Sequence, residues 1–183
     1  MKKTLILLLS IALTAPIFAQ KIGIREENEE LLHIATNYEL PKGDIAIALE
    51  YLHNKLNNED SYYLHLYLVS YELPFSFDKG AKALIRTSKG SIIELEQLTN
   101  CYDIKREHQL SSARYSTYYY YVFPKYGISR DDMELIINEG ISKIRFETTI
   151  GMRDYTYDSD ALGKMLKAEF DLIFKKTDFS ADF

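Results

Sequence analysis

Tyr62-Tyr63-Leu64-His65-Leu66-Tyr67-Leu68-Val69-Ser70-Tyr71 is the stretch on which the fold turns. Leu64, Leu66 and Leu68 fall on one side of an extended chain, and Tyr63, His65, Tyr67, Val69 and Tyr71 on the other. This is the period of two of a pleated strand, with neither face strongly polar. Pro74, which has no N–H to give a ladder, ends the run.

The same pattern recurs on both sides of this stretch. Asp78-Lys79-Gly80 turns the chain into Ala83 to Thr87, and Ser88-Lys89-Gly90-Ser91 reads as a hairpin connection into Ile92 to Glu96, its glycine supplying positive φ. Two more strands are expected at Tyr102 to Glu107 and Ser116 to Phe123, the second placing two of Tyr118 to Tyr121 on each face. Upstream, Pro41-Lys42-Gly43-Asp44 marks a turn. Ile45, Ile47, Leu49 and Tyr51 alternate as a strand, although Ile45, Leu49, Leu52 and Leu56 also fit a helix capped by Asp44; the strand is the better reading, with Asn54 to Ser61 as its connection. The acidic and then apolar segment Gln20 to Tyr38 reads as a short helix or a loosely held arm.

Further on, Ser129 is a good N-cap, with Asp132 three residues later and Ile128 and Met133 spaced for a hydrophobic staple; Gly140 stops that helix. Ile141 to Ile150 then alternates Ile144, Phe146 and Thr148 with Lys143, Arg145 and Glu147. From about Ser159 to Lys176, Leu162, Met165, Leu166, Phe170 and Ile173 form a helical stripe, and the tail Thr177 to Phe183 is expected to fray. The expected fold is therefore α+β: a mostly antiparallel sheet of about six or seven strands, a short helix near 129–138 and a C-terminal helix near 159–176. The connections are too short for repeated parallel crossovers.

The chain has 183 residues, 22 Lys+Arg against 27 Asp+Glu, one Cys, no Trp and 15 Tyr. A formal charge of −5 gives no general basic surface, so nucleic acid is not an expected partner. One Cys rules out an internal disulfide framework and any multi-cysteine zinc site, and Cys101 is expected to be a buried, inert thiol. Met1-Lys2-Lys3, the apolar run Leu5 to Ala15, Pro16 and then Ile17-Phe18-Ala19 have the form of a secretory signal, cleaved before Gln20. The apolar run is too short for a membrane span, and no later one is long enough. The expectation is a cleaved signal at 1–19 and a single domain at 20–183, periplasmic or secreted.

Catalytic motifs are missing. His33, His53, His65 and His108 show no metal-ligand spacing, and there is no nucleophile elbow, phosphate loop or dinucleotide fingerprint. A Cys101–His108 dyad has no local support. Glu94 and Glu96 share a strand face, where solvated carboxylates are the simpler reading than an acid/base pair. Asp158, Asp160, Gly163 and Glu169 match positions 1, 3, 6 and 12 of a calcium loop, but position 5 is Leu162. Capping of the last helix by Asp158 or Ser159 accounts for the acidic residues more simply, so neither metal nor cofactor is expected.

Tyrosine is the remaining anomaly: four lie between Tyr62 and Tyr71 and seven between Tyr102 and Tyr126. Tyr favours strands and half-exposed faces for purely structural reasons. If the two strands are neighbours, however, Tyr63, Tyr67, Tyr71, Tyr119 and Tyr121 present a surface for a protein, peptide or glycan, with Lys143, Arg145 and Glu147 as a candidate rim. The function expected is a non-catalytic binding module. The alternatives are an exported hydrolase with a carboxylate site assembled by the fold, or a structural envelope component.

Overall fold

The computed structural model describes residues 21–37, 45–109, 116–157 and 160–175. The signal segment with its cleavage point, the turn at Pro41 to Asp44, Asp158, Ser159 and the tail from Lys176 lie outside the described residues. The elements, in order, are β1 (Ile22–Glu27), β2 (Leu31–Thr36), β3 (Ile45–Asn54), β4 (Glu59–Ser70), β5 (Lys82–Thr87), β6 (Ile92–Glu96), β7 (Ile104–Gln109), β8 (Ser116–Val122), β9 (Lys125–Ile128), α1 (Arg130–Glu139), β10 (Ile141–Thr148), β11 (Gly151–Thr156) and α2 (Ala161–Lys175). A seven-stranded sheet runs β1-β2-β3-β4-β8-β7, with β9 also on β4, and a four-stranded sheet runs β11-β10-β5-β6. Every strand pair is antiparallel, and the α+β class expected from the short connections is the class found.

β3 and β4 form the spine, paired from Ile45↔Leu68 to Asn54↔Glu59. The turn between them closes with Asn58 at φ 55, a left-handed conformation that Asn tolerates better than most residues. β3 is buried on both faces from Ile45 to Glu50, which is why its sequence also fits a helix. The polar run after it is shorter than expected as a connection, because both strands extend into it.

The segment before β3 is neither helix nor loose arm. It is the β1–β2 hairpin, whose turn is held by Asn28, its side-chain oxygen accepting from the N–H of Glu30 at 2.8 Å and of Leu31 at 2.7 Å. β1 is almost wholly exposed, so it carries no apolar alternation to betray it; the ladder to β2 holds it.

β8 and β9 behave as one strand interrupted at Pro124. Leu68↔Val122 and His65↔Lys125 keep a common register against β4, and the N–H of Leu66 donates to the Pro124 carbonyl at 3.0 Å. The other side of this long strand changes neighbour. β8 pairs β7, whereas β9 meets the chain after β6 through the Gln97↔Tyr126 bridge and a bond from Leu98 N–H to the Lys125 carbonyl at 3.0 Å. The two sheets are joined there.

The core lies between the inner faces of the two sheets and under α2. Phe77 packs edge-on against Phe75 and Phe146, both at 5.8 Å, and Tyr126 lies 6.4 Å from Phe146. α2 buries Leu162, Met165, Leu166, Glu169 and Ile173, and its Phe174 ring meets Tyr51 at 5.1 Å on the inner face of β3. α1 is capped by Ser129, which accepts from Asp132 N–H at 3.1 Å, and ends at Gly140 with φ 75. α2 begins later than expected: Asp160, not Asp158 or Ser159, is the cap, accepting from Gly163 N–H at 3.0 Å. The segment Gly151 to Thr156, unassigned from sequence, is the edge strand β11, zipped to β10 from Lys143↔Thr156 to Thr148↔Gly151.

Candidate functional site

The two tyrosine-rich strands are neighbours. Val69 of β4 sits opposite Tyr121 of β8, so by alternation Tyr63, His65, Tyr67 and Tyr71 share one face of the sheet with Tyr119, Tyr121 and Phe123. This is the face opposite α2, which packs on the Tyr51 and Tyr62 side. The rings form a connected cluster: Tyr71 to Tyr119 at 6.2 Å, Tyr119 to Tyr121 at 6.1 Å, Tyr121 to Tyr67 at 5.8 Å and Tyr67 to Phe123 at 5.1 Å. Interplanar angles from 33° to 52° at these contacts make it a packed cluster of tilted rings rather than a flat stacking platform.

Exposure divides the labour within the cluster. Tyr121 is only 8% exposed, and its hydroxyl accepts from Arg106 Nε at 2.8 Å, so it supports the others. Tyr71 at 63% and Phe123 at 38% face outward, with Tyr67 and Tyr119 half-buried between them. Burial and the surrounding tyrosines raise the Tyr67 hydroxyl pKa above 10, so at neutral pH it remains a neutral donor and acceptor. Tyr63 makes none of these ring contacts; the Lys125 ammonium lies over its face at 4.2 Å. Phe123 and Arg106 were not among the residues expected. Phe123 was legible as the next outward position two residues beyond Tyr121, whereas Arg106 required knowing that β7 is the neighbour of β8.

Beside Tyr63 lies a second feature that sequence reasoning missed. Glu50, on the same face of β3 and mostly buried, meets His65 Nε2 and Lys125 Nζ through one oxygen, each at 2.5 Å, and His33 Nε2 through the other at 3.0 Å. No hydrogen bond forms at this third contact, which is a close approach only. Burial pushes the Glu50 carboxyl up, but bonds from Lys125 and His65 outweigh it and hold the group below its usual value. Burial pulls His65 down, and Glu50 returns only part of that. At neutral pH the centre is thus a carboxylate facing one ammonium and an imidazole held neutral. One oxygen takes both hydrogen bonds, and these favour the charged carboxylate over a proton-accepting role.

The other candidates separate from this face. Glu94 and Glu96 are both exposed and bracket Lys82 at 3.0 and 3.2 Å, an ion-paired surface. Lys143, Arg145 and Glu147 do not rim the tyrosines; they lie on the four-stranded sheet, where Lys143 and Arg145 both bond Asp154 at 2.6 Å and hold its carboxyl well below the usual range. Asp160 and Glu169 cannot share an ion: nine residues of helix set them about 13 Å apart, and the Asp160 carboxylate is taken by backbone N–H groups. Among the described residues no group of three His, Cys, Asp or Glu is placed to hold a metal. Cys101 is half-buried and its thiol pKa is raised by that burial, the opposite of an activated nucleophile. Among the described residues no helix is long and apolar enough to cross a membrane. Comparison with known proteins assigns nothing to this arrangement: no protein-family model, curated protein or solved structure matches the chain.

Proposed function

We propose that the chain is an exported, non-catalytic binding module, periplasmic or secreted once residues 1–19 are removed, which docks a protein, peptide or glycan on its tyrosine-bearing sheet face. The observation that carries this reading is the contiguous cluster of Tyr67, Tyr71, Tyr119 and Phe123 on the face opposite α2. Rings already packed against one another lose little freedom on binding, and each offers a large apolar area with, for tyrosine, a polar tip. The buried Tyr121 and its Arg106 bond hold that surface in place from below.

Single substitutions Tyr67→Ala and Tyr119→Ala test it. Immobilised wild-type chain is incubated with envelope and culture-medium fractions, and each captured species is then titrated against both variants. Loss of a central aromatic contact is expected to weaken binding by about tenfold or more. Partner binding unchanged in both variants, with both melting near wild type, rules the face out.

A further inference from the structure

A cleft of about 300 Å³ opens where the end of β4 approaches the four-stranded sheet, lined by Val69, Ser70, Tyr71 and Glu72 on one side and Arg153, Asp154 and Tyr155 on the other. We infer that this cleft captures a carboxylate of an extended peptide, with Arg153 as the recognising cation and the edge of β11 as the strand along which the peptide pairs. The inference goes beyond the tyrosine-face reading and does not depend on it.

Arg153 is the reason. Its guanidinium carbon lies 4.4 Å from the centroid of the buried Phe75 ring, a cation–π contact that holds the head group in place. Among the described residues no carboxylate pairs with it; its one polar contact is to Ser70 Oγ at 3.4 Å, the outer limit of a hydrogen bond. Arg145 and Arg130, by contrast, are each bonded to an acid. The N–H groups not turned to Ser70 are the planar fork that matches a carboxylate bidentately.

Two acids are nearby and neither supplies this need. The Asp154 carboxylate is committed to Lys143 and Arg145, and Glu72 stands exposed at the rim. By strand alternation Asp154 faces Lys143 and Arg145 on the other side of the sheet from Arg153, so Arg153 is the one cation in the cleft lining and has no carboxylate of its own among the described residues.

The shape favours a peptide. β11 ends its sheet, so among the described residues the side of its backbone away from β10 has no strand partner, and an extended segment can add there through main-chain bonds. A space of about 300 Å³ is at the small end for ligand sites and admits a few residues of chain rather than a folded surface. The carboxylate has two sources in a peptide, the C-terminus or an acidic side chain, and the chemistry at Arg153 is the same for both.

Four fluorescein-labelled octapeptides of alternating Thr and Val serve as probes on the full chain: a free C-terminus, a C-terminal amide, an amide with one central Asp, and the free acid N-methylated at alternate residues. Fluorescence anisotropy is expected to show the free acid, the Asp peptide or both binding about tenfold or more tighter than the neutral amide. Arg153→Gln is expected to bring the acidic peptides down to the level of the amide, with Arg153→Lys recovering only part. N-methylation is expected to abolish binding. Equal affinity for acidic and neutral peptides on the wild-type chain overturns the proposal without recourse to a variant, as does no binding by any of them at millimolar concentration. An N-methylated peptide that binds undiminished overturns strand pairing, and a galacturonic-acid oligomer that binds where every peptide fails overturns the peptide assignment. The cleft is read by the ratio of acidic to amide peptide affinity and the tyrosine face by capture from envelope and medium fractions, so failure of one and failure of the other are distinguishable.

Discussion

Glu50 occupies a position that in any one strand would be an ordinary outward-facing acid, yet it gathers three cationic or cation-forming groups from three other strands. His65 carries the pH dependence. Because burial holds its pKa below the usual 6.5, the unfolded chain binds that proton at higher pH than the folded one does. Stability from this residue is therefore complete above about pH 6.5 and is lost as pH falls toward the folded value. Glu50 adds a second loss at lower pH, below its usual 4.5, where its depressed carboxyl is finally protonated. The groups facing them are Lys125, His33 and, 4.0 Å behind His33, Glu26. Urea unfolding should give a lower midpoint at pH 5.5 than at 7.5, and the drop should shrink in His65→Gln; an identical drop in that variant assigns the dependence elsewhere. The sequence placed His65 on the correct face but gave no hint of its company. His33, Glu50 and His65 meet only through the register of three strands, and local patterning does not encode register between strands.

Helix boundaries show which local rules are enough and which are not. Ser129, Ile128, Met133 and Gly140 act as their spacing indicates, because a cap of this kind involves only neighbours in sequence. The start of α2 is displaced to Asp160 because one oxygen of that residue accepts from two directions, from Gly163 N–H within the helix and from Ile141 N–H at the head of β10, at 2.8 Å. The backbone at Gly140 must pass close by: a Cβ there would lie 2.6 Å from the Asp160 carboxyl carbon, at a φ of +75° that side chains rarely adopt. Asp160→Ala is expected to destabilise by about 2 kcal/mol, roughly half from the cap and half from an unpaired N–H of Ile141. Asp160→Asn should retain most of this in thermal melts, and an Ala variant within 0.5 kcal/mol or so of wild type would remove the bridging role. The strands that escaped the sequence reading, β1, β2, β9 and β11, are short or mostly exposed; their neighbours hold them, and their own composition says little.

At the scale of the whole molecule, the α+β class and the antiparallel pairing were legible, since short connections permit little else. The order of strands was not. Nothing in Lys125 to Ile128 announces that it touches β4 on one side and the Gln97 segment on the other, while β8, three residues earlier, has β7 there instead. That interrupted strand is a single thread stitched through two sheets, and its consequence is kinetic as well as structural. The seven-stranded sheet cannot be completed, nor the two sheets joined through Gln97 and Tyr126, before residues from Ser116 to Ile128 are laid down, so contacts distant in sequence must form together and the folding barrier carries a large loop-closure entropy. Loss of order should likewise be shared. Amide exchange in β3 and in β10 is expected to report one common opening free energy, and two distinct values would mean that the sheets part company before the chain unfolds. The molecule has two sheets, but with one strand bonded to the chain beyond β6 as well as to β4 they are expected to open as one unit.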